Sequence, residues 1–377
     1  MRPMLGRRGH HGAVPEPLRV AYTLEQCWHE VPGGTAVAAL RVAEHLEADP
    51  RVELLGVAGR HRRPPEPAWR PSIRVRGLPV ARPWLYETWL RARWPLVESV
   101  TGPVDVCHAT GLVPAASDAP LVVTVHDLAF VRYPERFSRH GVRTMRRSLD
   151  VIRRRAAVVL CSSHATVSDM VEAGLESDRI RHVPLGVDPV EVTPHDIERV
   201  RRVHDLPDRF VLFVGTVEPR KNLVRLAIAV SRLDEPVPLV VVGTDGWGDA
   251  LDDVNRLDTD VRFVGFVPPD DLAACYSSAT VFAYPSEWEG FGLPVAEAMA
   301  QGVPVVTSRG TSTEEVAGGA AVLVDPGDVD DIARGISEAL DPRRRDEFVE
   351  RGRRRAGELT WAATADATVA AYAEVAR

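Results

Sequence analysis

The densest group of chemically capable residues runs Pro285-Ser286-Glu287-Trp288-Glu289-Gly290-Phe291-Gly292-Leu293-Pro294 and on through Glu297 to Gly302. Glu289 and Glu297 stand eight residues apart around Gly290 and Gly292. A glycine-containing loop that opens a helix leaves backbone N–H groups free, and these form a ready anion site. The second group is Gly215-Thr216-Val217-Glu218-Pro219-Arg220-Lys221-Asn222. Arg220 and Lys221 stand at the expected start of a helix, where cations oppose the helix dipole, so an anionic ligand explains them best. A diphosphate suits the pair: arginine grips two oxygens and lysine adds a compact charge. Lys221 is the single lysine among 46 basic residues, leaving 45 arginines, which makes its survival informative. Gly33-Gly34 allows close backbone approach to a phosphate or sugar, although an ordinary loop reads equally well. Thr124-Val125-His126-Asp127 closes an apolar run, and a His-Asp pair there reads as structural or functional alike.

These residues need elements to carry them. Valine-rich runs flanked by turn residues predict strands at Leu18–Leu24, Val52–Val57, Val104–His108, Leu121–Val125, Ala157–Cys161 and Ile180–Val183. The pattern restarts at Phe210–Val214, followed by Leu239–Val242, Val261–Val264, Val281–Tyr284, Val303–Thr307 and Ala321–Val324. A helix is expected over Ala36–Ala48 with Thr35 as its N-cap. Another begins with Pro294 at its first position and ends near Gly302, placing Glu297 in the first turn or so. Pro189–Pro207, polar and with three prolines, reads as the linker region. Two successive βαβ series imply an α/β fold of two parallel sheets covered by helices, with ligands at the carboxyl ends of the strands. Trp361–Val375 reads as a last helix that could close either domain.

The 377 residues suffice for two domains, and 45% hydrophobic with 26% charged content is ordinary for a globular chain. A net charge of -7 argues against nucleic acid as partner. Cys27, Cys107, Cys161 and Cys275 form no C-x-x-C pair, so they suggest buried thiols in a cytoplasmic protein and neither a zinc site nor a redox motif. Residues 1–17 read as a loose tail without the apolar stretch of a secretory signal. No run reaches the roughly 20 apolar residues of a membrane span. The aspartates Asp245, Asp249, Asp252, Asp253, Asp258 and Asp260 read as a solvated loop, and Gly243 to Gly248 is not a dinucleotide fingerprint.

Taken together, the motifs resemble the retaining nucleotide-sugar glycosyltransferases of glycosyltransferase family 4. The resemblance is carried by Glu289-x7-Glu297, Gly215 with Arg220-Lys221-Asn222, His126-Asp127 and Gly186-Val187-Asp188. Glu314-Glu315-Val316-Ala317-Gly318, Leu323-Val324-Asp325-Pro326 and Trp361 also match. It covers nearly the whole chain from Leu18. It implies the GT-B fold, two Rossmann-like domains facing across a cleft. The implied divisions are a tail 1–17, an acceptor-side domain 18–187, a donor-side domain 188–357, and a helix 358–377 crossing back to the N-terminal domain. It also implies roles. Arg220 and Lys221 neutralise the departing diphosphate, and Glu297 binds the ribose hydroxyls. Glu289 and the backbone of Gly290, Phe291, Gly292 and Leu293 hold the sugar and phosphates, with Gly215 also on the donor side. His126 faces the sugar, Gly34 approaches the phosphate or acceptor, and Val267 lies near the base. The transfer retains anomeric configuration and needs neither metal nor cofactor. Leu185 stands where many relatives carry Asn, which puts a polar role there in doubt. His126-Asp127-Leu128 with Tyr133-Pro134 is most similar to the mannosyltransferase-type branch, so GDP-mannose is the expected donor, with a UDP-sugar as the alternative.

Three other activities fit parts of the pattern. A glycoside hydrolase could use the two glutamates but leaves Arg220-Lys221 idle. A nucleotide-sugar epimerase needs no acceptor, and a sensor binds without turnover. The acceptor itself, a glycan, a lipid-linked sugar or a small molecule, is read by variable loops. Trp84 to Trp94 and the arginine-rich Arg132 to Arg155 are compatible with peripheral contact at a membrane or with an ordinary solvated helix.

Overall fold

Short runs of valine and other apolar residues, most of them buried on both faces in the central strands and less so at the sheet edges, form two parallel sheets. A computed structural model describes residues 16–30, 32–244, 250–257 and 259–376. The first sheet contains β1 (Leu18–Thr23), β2 (Val52–Ala58), β3 (Val75–Gly77), β4 (Val106–Ala109), β5 (Leu121–Val125), β6 (Ala156–Cys161) and β7 (Ile180–His182). The second contains β8 (Val211–Val214), β9 (Leu239–Val242), β10 (Val261–Gly265), β11 (Val281–Tyr284), β12 (Val305–Ser308) and β13 (Val322–Val324). The strand orders are β3-β2-β1-β4-β5-β6-β7 and β10-β9-β8-β11-β12-β13. Each order reverses once, between β1 and β4 and between β8 and β11, and open parallel sheets bind ligands outside the strand ends at such reversals. At the second reversal Val281 pairs with Val211 and Phe282 with Leu212, which brings the loops after β8 and β11 side by side. The two-domain α/β architecture expected of the sequence is present.

Several boundaries differ from expectation. β3 was not foreseen, because Val75-Arg76-Gly77 is too short to show a pattern. The first long helix is Gly33–Glu47 and carries no side-chain cap, so Thr35 lies inside its first turn and does not cap it. The region Pro189–Pro207 is more than a linker: it holds the helix Pro194–Val203, with Thr193 and Asp196 forming a capping box. Arg199 on that helix meets Asp271 at 2.7 Å, which ties it to the second domain. Asp252 and Asp253 belong to a short helix, Ala250–Asn255, and not to a loop. Asp245, Asp249, Asp258, Gly246 to Gly248 and most of the expected tail lie outside the described residues. All four cysteines are free and buried.

The last helix, Trp361–Val375, packs on Gly33–Glu47 and so completes the core of the first domain. Thr360 caps it by accepting from the Ala363 N–H. Tyr372 is buried beside His108, its hydroxyl 2.6 Å from Nδ1, while His108 Nε2 lies 2.8 Å from the Thr124 hydroxyl. Burial lowers the His108 pKa to about 3, so the imidazole in this network is neutral. The Val187 N–H donates to the Leu359 carbonyl at 2.9 Å, so the two crossings between domains run together. Among the described residues no helix is long and apolar enough to cross a membrane.

Candidate active site

A cavity of about 510 Å³ lies between the two domains at the strand ends. Every residue expected at the site lines it: His126, Arg220, Lys221, Glu289, Gly34, Gly215, Val267, Gly290, Phe291, Gly292, Leu293 and Glu297. Gly34 and His126 come from the first domain and the other ten from the second. Leu185 lines it too, as an apolar wall.

Two helices open toward this cavity, one from each domain. Gly33–Glu47 and Leu293–Ala300 both begin without a side-chain cap. Ser138, Ser163, Thr193 and Thr360 cap other helices, although Trp84–Ala92, Leu223–Ser231 and Arg345–Glu358 also lack a side-chain cap. Free first-turn N–H groups therefore collect at the cleft, where they can bind an anion or a sugar oxygen. The loop before the second helix turns through Gly292 at φ 104, a conformation that disfavours any side chain. Leu293 holds the first helical position and Pro294 the second, one residue later than expected. Glu297 is accordingly in the second turn.

Arg220 and Lys221 do not begin a long helix. They end a single 3-10 turn, Pro219–Lys221, and Asn222 at φ 64 redirects the chain into Leu223–Ser231. Neither cation stands free. Arg220 contacts Glu289 at 2.6 Å and Glu218 at 2.7 Å, and Lys221 Nζ lies 3.3 Å from Glu218. Tyr284 also donates to Glu289 at 2.7 Å. Burial raises the Glu289 pKa, but the charges on Arg220 and Lys221, with bonds from Arg220 and Tyr284, outweigh it and hold the carboxyl below its ordinary value. The four charges balance, so the cations are held in place before any ligand arrives.

Glu297 has a different environment. Burial pushes its carboxyl above the ordinary value, against a 2.8 Å hydrogen bond from Tyr276 that lowers it. His126 is lowered, mainly by burial, and its Nε2 is buried without a hydrogen-bond partner while the side chain lines the cavity. A neutral imidazole with a spare nitrogen is suited to a hydroxyl group.

Sequence reasoning missed Glu218, Tyr276 and Tyr284. The tyrosines resemble core aromatics in a strand and a helix, and only their hydroxyls betray a second role. It also missed the seam between domains. Arg136 pairs with Glu287 at 2.8 Å, Arg132 lies 4.4 Å over the Trp288 ring, and the Ser162 hydroxyl donates to the Gly290 carbonyl at 3.3 Å. Among the described residues the cluster of metal-ligating side chains is His164, His182 and Glu315, outside the cavity lining.

Comparison with known proteins identifies the family and the fold. Residues 32–191 match the family described as Glycosyltransferase Family 4, and residues 195–355 match Glycosyl transferases group 1. O-antigen chain mannosyltransferase B of Escherichia coli is 34% identical over 264 residues, covering 67% of this chain and 69% of the relative. The MMP alpha-(1->4)-mannosyltransferase of Mycolicibacterium hassiacum is 32% identical, over 71% of this chain and 68% of its own length. Among solved structures, Anabaena HepE in complex with UDP and glucose superposes with a TM-score of 0.71 at 18% identity, covering 94% of this chain and 98% of that one. With both domains matched and both faces of the cleft in place, the chain belongs to glycosyltransferase family 4, on its mannosyltransferase-like branch, with the GT-B fold.

Proposed function

We propose that this glycosyltransferase moves mannose from GDP-mannose to an acceptor hydroxyl with retention of anomeric configuration, using chain cations at the diphosphate. The observation that carries the reading is the couple of part-buried Arg220 and buried Lys221 beside the uncapped Gly292–Leu293 helix start. Their combined positive charge stabilises the diphosphate as the anomeric C–O bond breaks. The acceptor oxygen attacks the anomeric carbon from the face the diphosphate leaves. Its proton passes to the departing phosphate oxygen, so no protein nucleophile is required. Glu289 and His126 hold sugar hydroxyls from opposite domains, and Glu297 accepts from the ribose. Mannose as the sugar is supported by the names of the two relatives above, a polysaccharide-type acceptor by the first of them.

Calorimetric titration with GDP and then UDP, in chelator, tests this. GDP should bind at least tenfold more tightly than UDP. The reverse order would overturn the donor, and binding of neither by folded protein would overturn the donor site.

Glu297 adds a pH signature. A carboxyl accepts from both ribose hydroxyls most strongly when deprotonated, and this one protonates above the ordinary carboxylate value. Donor affinity should therefore fall as pH drops through that raised value. Glu297→Ala should weaken GDP binding by about 10- to 100-fold and remove the acid limb, the effect of losing charged hydrogen bonds. Unchanged affinity would move the ribose contact elsewhere.

Peripheral membrane contact is a second part of the proposal, and it suits an acceptor carried on a lipid. The helix Arg139–Arg155 exposes Arg139, Arg143, Arg146, Arg153 and Arg154. Arg147 joins it at 3.4 Å to Glu87 of the helix Trp84–Ala92, next to exposed Trp84 and Trp94. Cations beside interfacial tryptophans favour anionic lipid. The protein should sediment with anionic liposomes at low salt and not with neutral ones; absence from both pellets would end the idea.

A further inference from the structure

A second constellation sits on the seam between the domains, away from the cavity. His164 opens the helix His164–Glu172, and His182 ends β7, both in the first domain. Glu315 projects from the helix Ser312–Ala317 of the second. The two imidazoles lie nearly face to face, with centroids 3.9 Å apart at 31°. One Glu315 oxygen accepts the His164 backbone N–H at 2.8 Å. The other lies 3.0 Å from His182 Nε2, yet that nitrogen is buried without an aligned hydrogen bond. An imidazole nitrogen held beside a carboxylate without an aligned hydrogen bond is incompletely satisfied, and a metal ion is one partner that serves both groups.

One ligand atom from each residue lies within 4.8 Å of the other two. Two imidazole nitrogens and a carboxylate oxygen are a ligand set that zinc takes, with a fourth position left for water. Bonds of about 2.0–2.2 Å place tetrahedral ligand atoms about 3.3–3.6 Å apart, so the ligand atoms must close by up to about 1.5 Å and the two imidazoles must turn until their in-plane lone pairs converge. His164 is exposed, which gives an ion a path from solvent.

We propose that His164, His182 and Glu315 form a site for a divalent transition-metal ion of the zinc class, clamped between the two domains. Ions of this class favour imidazole nitrogen, whereas magnesium and calcium favour oxygen. The ion would tie the carboxylate of one domain to the imidazoles of the other. Both sides also lead to the donor loop. Two residues before His164, the Ser162 hydroxyl holds the Gly290 carbonyl at 3.3 Å, and three residues before Glu315, the Ser312 hydroxyl holds the Glu289 carbonyl at 2.7 Å. Occupancy therefore resists domain opening and slows turnover. Binding stands apart from the transferase reading; the effect on turnover rests on it.

The test is titration of the full chain with Co²⁺ at neutral pH. The parent is a His10→Ala/His11→Ala variant, because that adjacent histidine pair is a competing ligand. One equivalent should bind with the visible absorption of four- or five-coordinate cobalt, and Zn²⁺ should displace it. His182→Ala and Glu315→Gln should each weaken binding at least tenfold, with metal-free circular dichroism reporting that the variants are folded. Absence of the cobalt bands, or bands equally strong in both folded variants, would overturn the site. Saturating Zn²⁺ should slow glycosyl transfer in the parent and not in His182→Ala. Equal slowing in both would overturn the clamp, while the cobalt spectra decide the site separately.

Discussion

Replacement of Lys221 by alanine is expected to lower kcat/KM for sugar transfer by about 10²- to 10³-fold, the cost of removing one preorganised charge from a transition state. The fold should survive. Glu218, the carboxylate that Lys221 meets, keeps Arg220 at 2.7 Å and is not left as an isolated buried charge. Arg220→Ala is the poorer probe, because it strips the closest partner from both Glu218 and Glu289, and breaking a buried pair costs about 3–5 kcal/mol. Arginine should not restore activity at position 221. A Cβ on Gly215 would lie 2.9 Å from the Lys221 ammonium, so the turn leaves little room for a guanidinium. Turnover with GDP-mannose and the melting temperature, measured together, decide the matter. Wild-type turnover in folded Lys221→Ala would remove lysine from the diphosphate.

Gly290→Ala is expected to lower kcat by at least about 10²-fold, the penalty for a misplacement of about 1 Å between reacting groups. The position is set by contact between domains. A Cβ at Gly290 would overlap the backbone carbonyl of His126 and stand 3.1 Å from Asp127 Cβ. The obstacle is backbone, so no rotamer change relieves it, and the two faces of the cleft must part. GDP affinity should change by less than threefold, since Glu297 and the Arg220-Lys221 couple lie wholly within the second domain. Unaltered kcat would show that the seam is looser than its contacts imply. A parallel loss of GDP affinity would show instead that the donor loop itself had collapsed.

The glycine effect illustrates what could be read in advance. Twelve strands were visible as valine runs because strands buried on both faces need continuous apolar sequence. β3 was not, since three residues at a sheet edge carry no period. Glu289-x7-Glu297 and Arg220-Lys221 stood out because charged residues crowd a turn. Glu218 did not, although the same turn holds it. A carboxylate that balances a cation looks like any surface acid until the chain is folded around it. His164 and His182 are brought together by the fold of the first domain, and Glu315, far along the chain, joins them only when the two domains dock. Thr35 misled because a good capping residue is not obliged to cap when the helix start faces a ligand cavity.

The crossing of the final helix bears on how the protein is made. The first domain is synthesised first, yet Trp361 and Tyr372, which seal its core, follow only after the whole second domain. From Val187 to Trp361 the nascent chain must grow by 174 residues. At roughly 5–20 residues per second that is about 10–35 s of synthesis. Throughout this interval the face around Tyr22 and His108 has no cover of its own. Folding of the first domain is thereby coupled to completion of the second, and a chain released before Thr360 would present that uncovered face to chaperones and proteases.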